Sequence, residues 1–164
     1  MGLDDYHISE VSLGNGWLGI SHFPGRNGAY QADLNAILAW GAGLVLTMNT
    51  KGELARGGLT DMGEDFRLAE VQWRHLPIPD FGAPPPETQA LWGEASGVAH
   101  QVLDEGGRVF AHCYGGCGRS GMALLRLMVE AGEVPLPALE RLRQVRPCAV
   151  ETEAQFEWAA GGAT

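Results

Sequence analysis

The chain has 164 residues, 45% of them hydrophobic and 19% charged, which describes a globular chain of one domain's length (1–164) with enough apolar surface for a core. Its formal net charge of -9 argues against the basic face that nucleic-acid binders rely on. The same balance leaves room for a phosphorylated substrate, because a small cationic pocket can sit inside an acidic molecule.

The N-terminus, Met1-Gly2-Leu3-Asp4-Asp5-Tyr6, is acidic and lacks the basic and apolar regions of a signal peptide. It carries Tyr6 where a myristoylation signal has Ser or Thr. No apolar run is long enough to cross a bilayer, so the expectation is a cytoplasmic protein with no membrane partner. Ile8–Leu13 and Trp17–Ile20 then read as two short strands around a Gly14-Asn15-Gly16 turn. Tyr30–Trp40 has helical spacing at Leu34, Ile37 and Leu38, with Gly41 to end it. Leu44–Leu46 reads as a buried strand, Glu64–Gln72 as a helix, and Trp73–Ile78 as a further strand leading into a Pro-rich loop from Pro79 to Pro86. A helix from Pro86 to about Glu105 stops at Gly106-Gly107, and Arg108–Ala111 is a strand. After a Gly-rich loop, helices follow at Arg119–Ala131, Pro137–Val145 and Thr152–Ala159. Strands alternating with helices predict an α/β domain whose central, mainly parallel sheet is flanked by helices.

The segment His112-Cys113-Tyr114-Gly115-Gly116-Cys117-Gly118-Arg119-Ser120-Gly121 lies between an expected strand and an expected helix. A tight turn into a helix N-terminus points backbone N–H groups inward, and the helix dipole adds positive potential. Gly115, Gly116 and Gly118 allow the turn to curl closely, and Arg119 offers a planar two-pronged grip on phosphate oxygens. Tyr114, Gly115, Gly116, Cys117, Gly118 and Arg119 are thus the expected phosphate cradle. Such surroundings favour a cysteine thiolate, which makes Cys113 the expected nucleophile. Ser120 is placed to stabilise the sulfur as it leaves, and His112 to orient the loop.

His-Cys, five residues, then Arg-Ser-Gly resembles the signature of the protein tyrosine phosphatase superfamily, in its dual-specificity branch. The likeness extends to the kinase-associated phosphatase group through Phe23-Pro24-Gly25, Thr50-Lys51-Gly52-Glu53-Leu54, the loop Pro79-Asp80-Phe81-Gly82, and Arg146-Pro147-Cys148 with Gln155. The resemblance implies that superfamily's fold, a phosphocysteine intermediate and no cofactor or metal. It does not carry over a kinase partner. It also matches Asp80 to the general acid, which the residues themselves support: the position follows a strand that ends on the same side of a parallel sheet as Cys113. Gln155 matches the residue that positions the hydrolytic water.

Three cysteines, Cys113, Cys117 and Cys148, form no disulfide framework and fit a reduced compartment. Cys117 either fills a loop position or pairs with Cys113 to protect it from over-oxidation; Cys148 is a rival partner for Cys113. Lys, His or Asn inside the loop, which relatives acting on inositol phosphates or RNA ends tend to carry, are missing at Tyr114 and Cys117. This favours a phosphorylated protein over a small phosphoester such as a metabolite or an inositol phosphate. Sulfur transfer would have no use for Asp80 or Ser120, and a module that only binds phosphate would not need cysteine, arginine and acid together. Oligomeric state is left open.

Overall fold

The computed structural model describes residues 6–163; Met1–Asp5, which carry most of the acidic N-terminal segment, lie outside the described residues. Five strands form one sheet in the order β1-β2-β5-β3-β4: β1 (Ser9–Leu13), β2 (Gly16–Ser21), β3 (Ala42–Thr47), β4 (Gln72–His75) and β5 (Arg108–His112). Only the β1–β2 hairpin is antiparallel; β2–β5, β5–β3 and β3–β4 are all parallel. The seven α-helices among the described residues are α1 (Tyr30–Trp40), α2 (Lys51–Arg56), α3 (Met62–Leu68), α4 (Pro86–Asp104), α5 (Gly118–Glu130), α6 (Pro135–Val145) and α7 (Glu153–Ala160). None is long and apolar enough to cross a membrane.

Side chains alternate across a strand, and β5 uses this to build two cores. Val109, Ala111 and Cys113 fall on the face covered by α4, α5 and α6, with Leu44, Leu46, Leu124 and Leu142. Phe110 falls on the other, with Val45, Ile37 and Phe66. The same alternation sends His112 away from Cys113, although the two are adjacent. β5 is central, so its C-terminal end emerges in the middle of the sheet's rim, where ligands of parallel sheets collect. Beyond His75, the Leu76 and Ile78 amides still donate to the Thr47 and Met48 carbonyls. That extension carries the chain to Asp80 on the same rim.

Several boundaries differ from the sequence reading, among them the end of β4 at His75 rather than Ile78, and two have a plain local cause. α3 ends at Leu68, four residues early, because Glu70 turns the chain through φ 63° before β4. α6 begins at Pro135 rather than Pro137, proline being well suited to the first helical turn.

Between α4 and α5, Glu130 is a half-buried hub. It accepts from Trp92 Nε1 (2.8 Å), His100 Nε2 (3.0 Å), Arg126 Nε (3.2 Å) and Ser96 Oγ. Burial alone would raise its carboxyl, but the bonds from His100, Ser96, Trp92 and Arg126 bring it down to about 2. A carboxylate with a lowered pKa stabilises the fold above its unfolded value and loses that contribution as pH falls towards 2. Glu130→Ala leaves several donors unpaired and should cost roughly 3 kcal/mol, read as a lower denaturant midpoint at neutral pH.

Candidate active site

The loop from Cys113 to Gly118 hangs between the end of β5 and the start of α5, and its carbonyls are fastened from outside. Tyr114 O accepts from the Phe23 amide (3.0 Å) and Cys117 O from the Gly121 and Val150 amides. Arg146 reaches from the end of α6 to the Gly116 (2.8 Å) and Gly115 (3.2 Å) carbonyls. Among the described residues, none of the amides from Tyr114 to Gly118 donates to a carbonyl in these turns and caps. Carbonyls tied outward leave N–H groups facing inward, which is the anion cradle the sequence suggested. Gly116 has φ 71°, and a Cβ there would sit 2.5 Å from the Ser21 carbonyl. A Cβ on Gly118 would meet Gln155 at 2.8 Å.

Cys113 is 2% exposed. Its Sγ lies 3.2 Å from Ser120 Oγ, which is itself fully buried. His112 is fully buried too, and desolvation brings its imidazole down to about 3 despite the Cys113 backbone, so the ring is neutral. Thr47 Oγ1 accepts from Trp73 Nε1 (2.7 Å) and shares a 2.8 Å hydrogen bond with His112 Nε2. His112 therefore locks the root of the loop to β3 and is not a base.

Arg119 is 1% exposed. Its Nη1 donates to Glu53 Oε1 (2.6 Å) and to the Ile78 carbonyl (2.9 Å), and its Nη2 to Glu53 Oε2 (3.0 Å). Nε is buried without a hydrogen-bond partner. Glu53 thus takes the end-on fork and leaves the side-on pair, Nε and Nη2, for a phosphate. Burial opposes the Glu53 charge, yet Arg119 and the Thr50 amide hold its carboxyl at about 2. Burial likewise opposes the Arg119 charge, and Glu53 outweighs it and raises the guanidinium further.

Asp80 is the exposed partner, its side chain 57% accessible, with Oδ1 3.4 Å from Arg119 Nη2 and accepting from the Phe81 amide. Phe81 is held at φ 63°, a left-handed backbone that a bulky residue rarely adopts. Gln155 is fully buried. Its Oε1 accepts from the Glu151 (2.8 Å) and Thr152 (3.2 Å) amides, and its Nε2 donates to the Gly82 carbonyl of the Asp80 loop (3.2 Å). The structure therefore brings Asp80, Cys113, Arg119, Ser120 and Gln155 to one rim. Tyr114 is the outlier among the cradle residues in that its side chain is half exposed, stacked on Phe23. A larger hollow of about 590 Å3 between α3 and β4 contains none of these residues.

Two features differ from the sequence reading. Cys117 is bonded to Cys148, and Cys113 is the free cysteine. Cys117 is thus neither a guard on the nucleophile nor an unpaired loop filler; with its ends 31 positions apart, the bridge ties the cradle to the α6–α7 connection. The second is Glu53. The sequence reading gives it no site role, although Thr50-x-x-Glu53 is a capping box, and both of the box's hydrogen bonds are formed here.

A free cysteine at the floor of an amide cradle, with an arginine at its helical end and a carboxylic acid on the facing loop, defines a cysteine-dependent phosphatase. A family model described as Tc-R-P, polymorphic toxin system, DSP-PTPase phosphatase, matches residues 19–133. The chain belongs to this family of dual-specificity and tyrosine phosphatases. It is 28% identical to mouse cyclin-dependent kinase inhibitor 3 over 151 residues, 87% of this chain and 69% of that protein. Among solved structures, it superposes on kinase associated phosphatase with TM-score 0.82 at 23% identity, covering 96% and 93% of the two chains. The active form of Tk-PTP gives TM-score 0.71 at 28% identity, covering 89% and 90%. PTPMT1 in complex with PI(5)P gives 0.71 at 18% identity over 98% and 95%.

Two outcomes follow. Glu53→Gln removes the anion that orients Arg119 and should lower kcat about 10²-fold with a smaller change in KM, measured on an aryl phosphate. Cys148→Ser opens a 31-residue closure and should cost about 3–4 kcal/mol, measured by denaturant unfolding; thiol titration of unfolded wild type without reductant should return one thiol per chain.

Proposed function

We propose that the chain, as a single catalytic unit, hydrolyses phosphomonoesters on proteins in two steps, with the roles distributed as follows. The Cys113 thiolate attacks phosphorus in line, forming the S–P bond as the P–O bond to the leaving group breaks. The loop amides and the Nε–Nη2 edge of Arg119 hold the three equatorial oxygens. Asp80 gives its proton to the leaving oxygen. Water then attacks the phosphocysteine and passes a proton to Asp80, while the S–P bond breaks and Ser120 donates to the departing sulfur. Gln155 serves this second step by holding the acid loop through Gly82, with its second Nε2 hydrogen available for the water.

The observation that carries the reading is the union of Cys113 Sγ beside Ser120 Oγ with an Arg119 whose side-on Nε–Nη2 edge Glu53 leaves open to an anion. A protein substrate is supported by the likeness to protein phosphatases and by the half-exposed aromatic rim; the acidic balance speaks against nucleic acid. We place the activity in the cytoplasm, where a free Cys113 stays reduced.

The test is metal-free hydrolysis of an aryl phosphate and of phosphotyrosine and phosphothreonine peptides. Wild type should be active, Cys113→Ser inert, and Asp80→Asn slower by about 10²–10⁴-fold on substrates with poor leaving groups. Activity of Cys113→Ser at the wild-type level would sink the mechanism.

A further inference from the structure

In this acidic molecule, nearly every basic side chain is already neutralised or engaged. Arg67, Arg74, Arg108, Arg119, Arg126 and Arg141 pair with carboxylates. Arg143 donates to the Ala149 and Val150 carbonyls, and Arg146 to the cradle carbonyls. Among the described residues, that leaves Arg26, Lys51 and Arg56 without an anionic or carbonyl partner. Their placement is not scattered. Arg26 and Arg56 both line the cavity of about 420 Å3 at the mouth of the active site, together with Phe23, Glu53, Asp80 and Tyr114. Lys51 opens α2, the helix that carries Arg56.

The cavity's own carboxylates do not cancel these two arginines. Glu53 is committed to Arg119 through both oxygens, and Asp80 leans on the Arg119 side of the mouth. Arg26 lies over the Tyr114 ring, its Cζ 5.2 Å from the centroid, and that ring also stacks on Phe23. The contact steadies a long exposed side chain without consuming its hydrogen-bond donors. Its position follows from the loop, since Tyr114 is the residue next to the nucleophile.

Resting on the phosphatase reading above, we propose that Arg26 and Arg56 form a second anion subsite. It selects phosphopeptides that carry another anionic group, a carboxylate or a second phosphate, close to the phosphorylated residue. The cradle and Arg119 take the reacting phosphate; the two rim arginines take the neighbour. A peptide is favoured over a small polyphosphate because Tyr114 (46% exposed) and Phe81 (60% exposed) present apolar surface beside the same mouth. Such surface suits side chains and backbone flanking the phosphoresidue. With a net charge of -9, the rest of the molecule repels acidic peptides, so selection for them has to come from this local positive patch.

The experiment compares matched peptides with one phosphoresidue, flanked either by neutral residues or by Asp and Glu, plus a doubly phosphorylated peptide and an inositol polyphosphate. The readouts are kcat/KM for wild type, R26Q, R56Q and the double variant, and calorimetric binding of the same ligands to Cys113→Ser with and without the rim substitutions. Wild type should prefer the acidic over the neutral peptide by about tenfold, and the double variant should bring that ratio near one. R26K should keep part of it, and raised salt should erode it. Both arginines are exposed, so unchanged melting temperatures are the control for folding. A wild-type ratio of one, a ratio unaltered in the double variant, or an equal loss on neutral and acidic peptides overturns the subsite. Tighter handling of the inositol polyphosphate than of either acidic peptide overturns the peptide assignment. Failure of wild type on every phosphoester would instead remove the phosphatase reading; the binding arm still decides the subsite in that case.

Discussion

A guanidinium that is 1% exposed must have an anion beside it, because an unpaired charge at that depth costs several kcal/mol. Glu53 supplies that anion for Arg119, and the consequences run through the whole site. Glu53 has to be delivered by a rigid element, so α2 starts at a capped Thr50 directly after β3. The Ile78 carbonyl shares the same guanidinium, which ties the strand leading to the acid loop into the unit. Arg119 then has only one fork left, and its direction is set before any substrate arrives. The pairing also holds across working pH, since the Glu53 carboxyl titrates near 2.

The opposite side of the cradle is secured by different means. Arg146, the Cys117–Cys148 bridge and the Val150 amide all hold the back of the loop. Val150 itself adopts φ 66°, a strained backbone for a β-branched residue. Arg143 fixes it there by donating to the Ala149 and Val150 carbonyls. The α6–α7 connection is therefore shaped to serve the loop it touches. Gln155 continues the same connection, using one side chain to cap α7 and to hold the acid loop at Gly82.

Much of this was legible in advance where the signal is local. The cradle is a contiguous run of residues, and its glycines, arginine and flanking strand and helix all sit within a dozen positions. The order of most strands and helices along the chain followed from periodicity, and two of the boundary errors fell at Glu70 and Pro135, where a turn or a proline rather than hydrophobic spacing decides. α2 escaped because six residues are too few to show a helical stripe, although its capping box stood in plain view. Arg146 lies in a segment that carries the family resemblance, but nothing in a sequence says which carbonyls an arginine will reach. The cysteine pairing was similarly out of reach, since three cysteines allow three bridges and only distance in the fold chooses.

The sequence by itself determined the chemistry: a nucleophile, an arginine and an amide-rich turn whose order along the chain is their order in space. The tertiary structure decided everything that depends on residues far apart. It chose Glu53 as the holder of Arg119, Cys148 as the partner of Cys117, and the Asp80 loop as the neighbour of Gln155. It also gathered Arg26 and Arg56, thirty positions apart, at one mouth while pairing or engaging almost every other cation elsewhere. Local patterns follow from covalent geometry and hydrogen bonding between near neighbours. Charge pairing and burial follow from where the sheet and helices bring distant side chains, and only the fold fixes that.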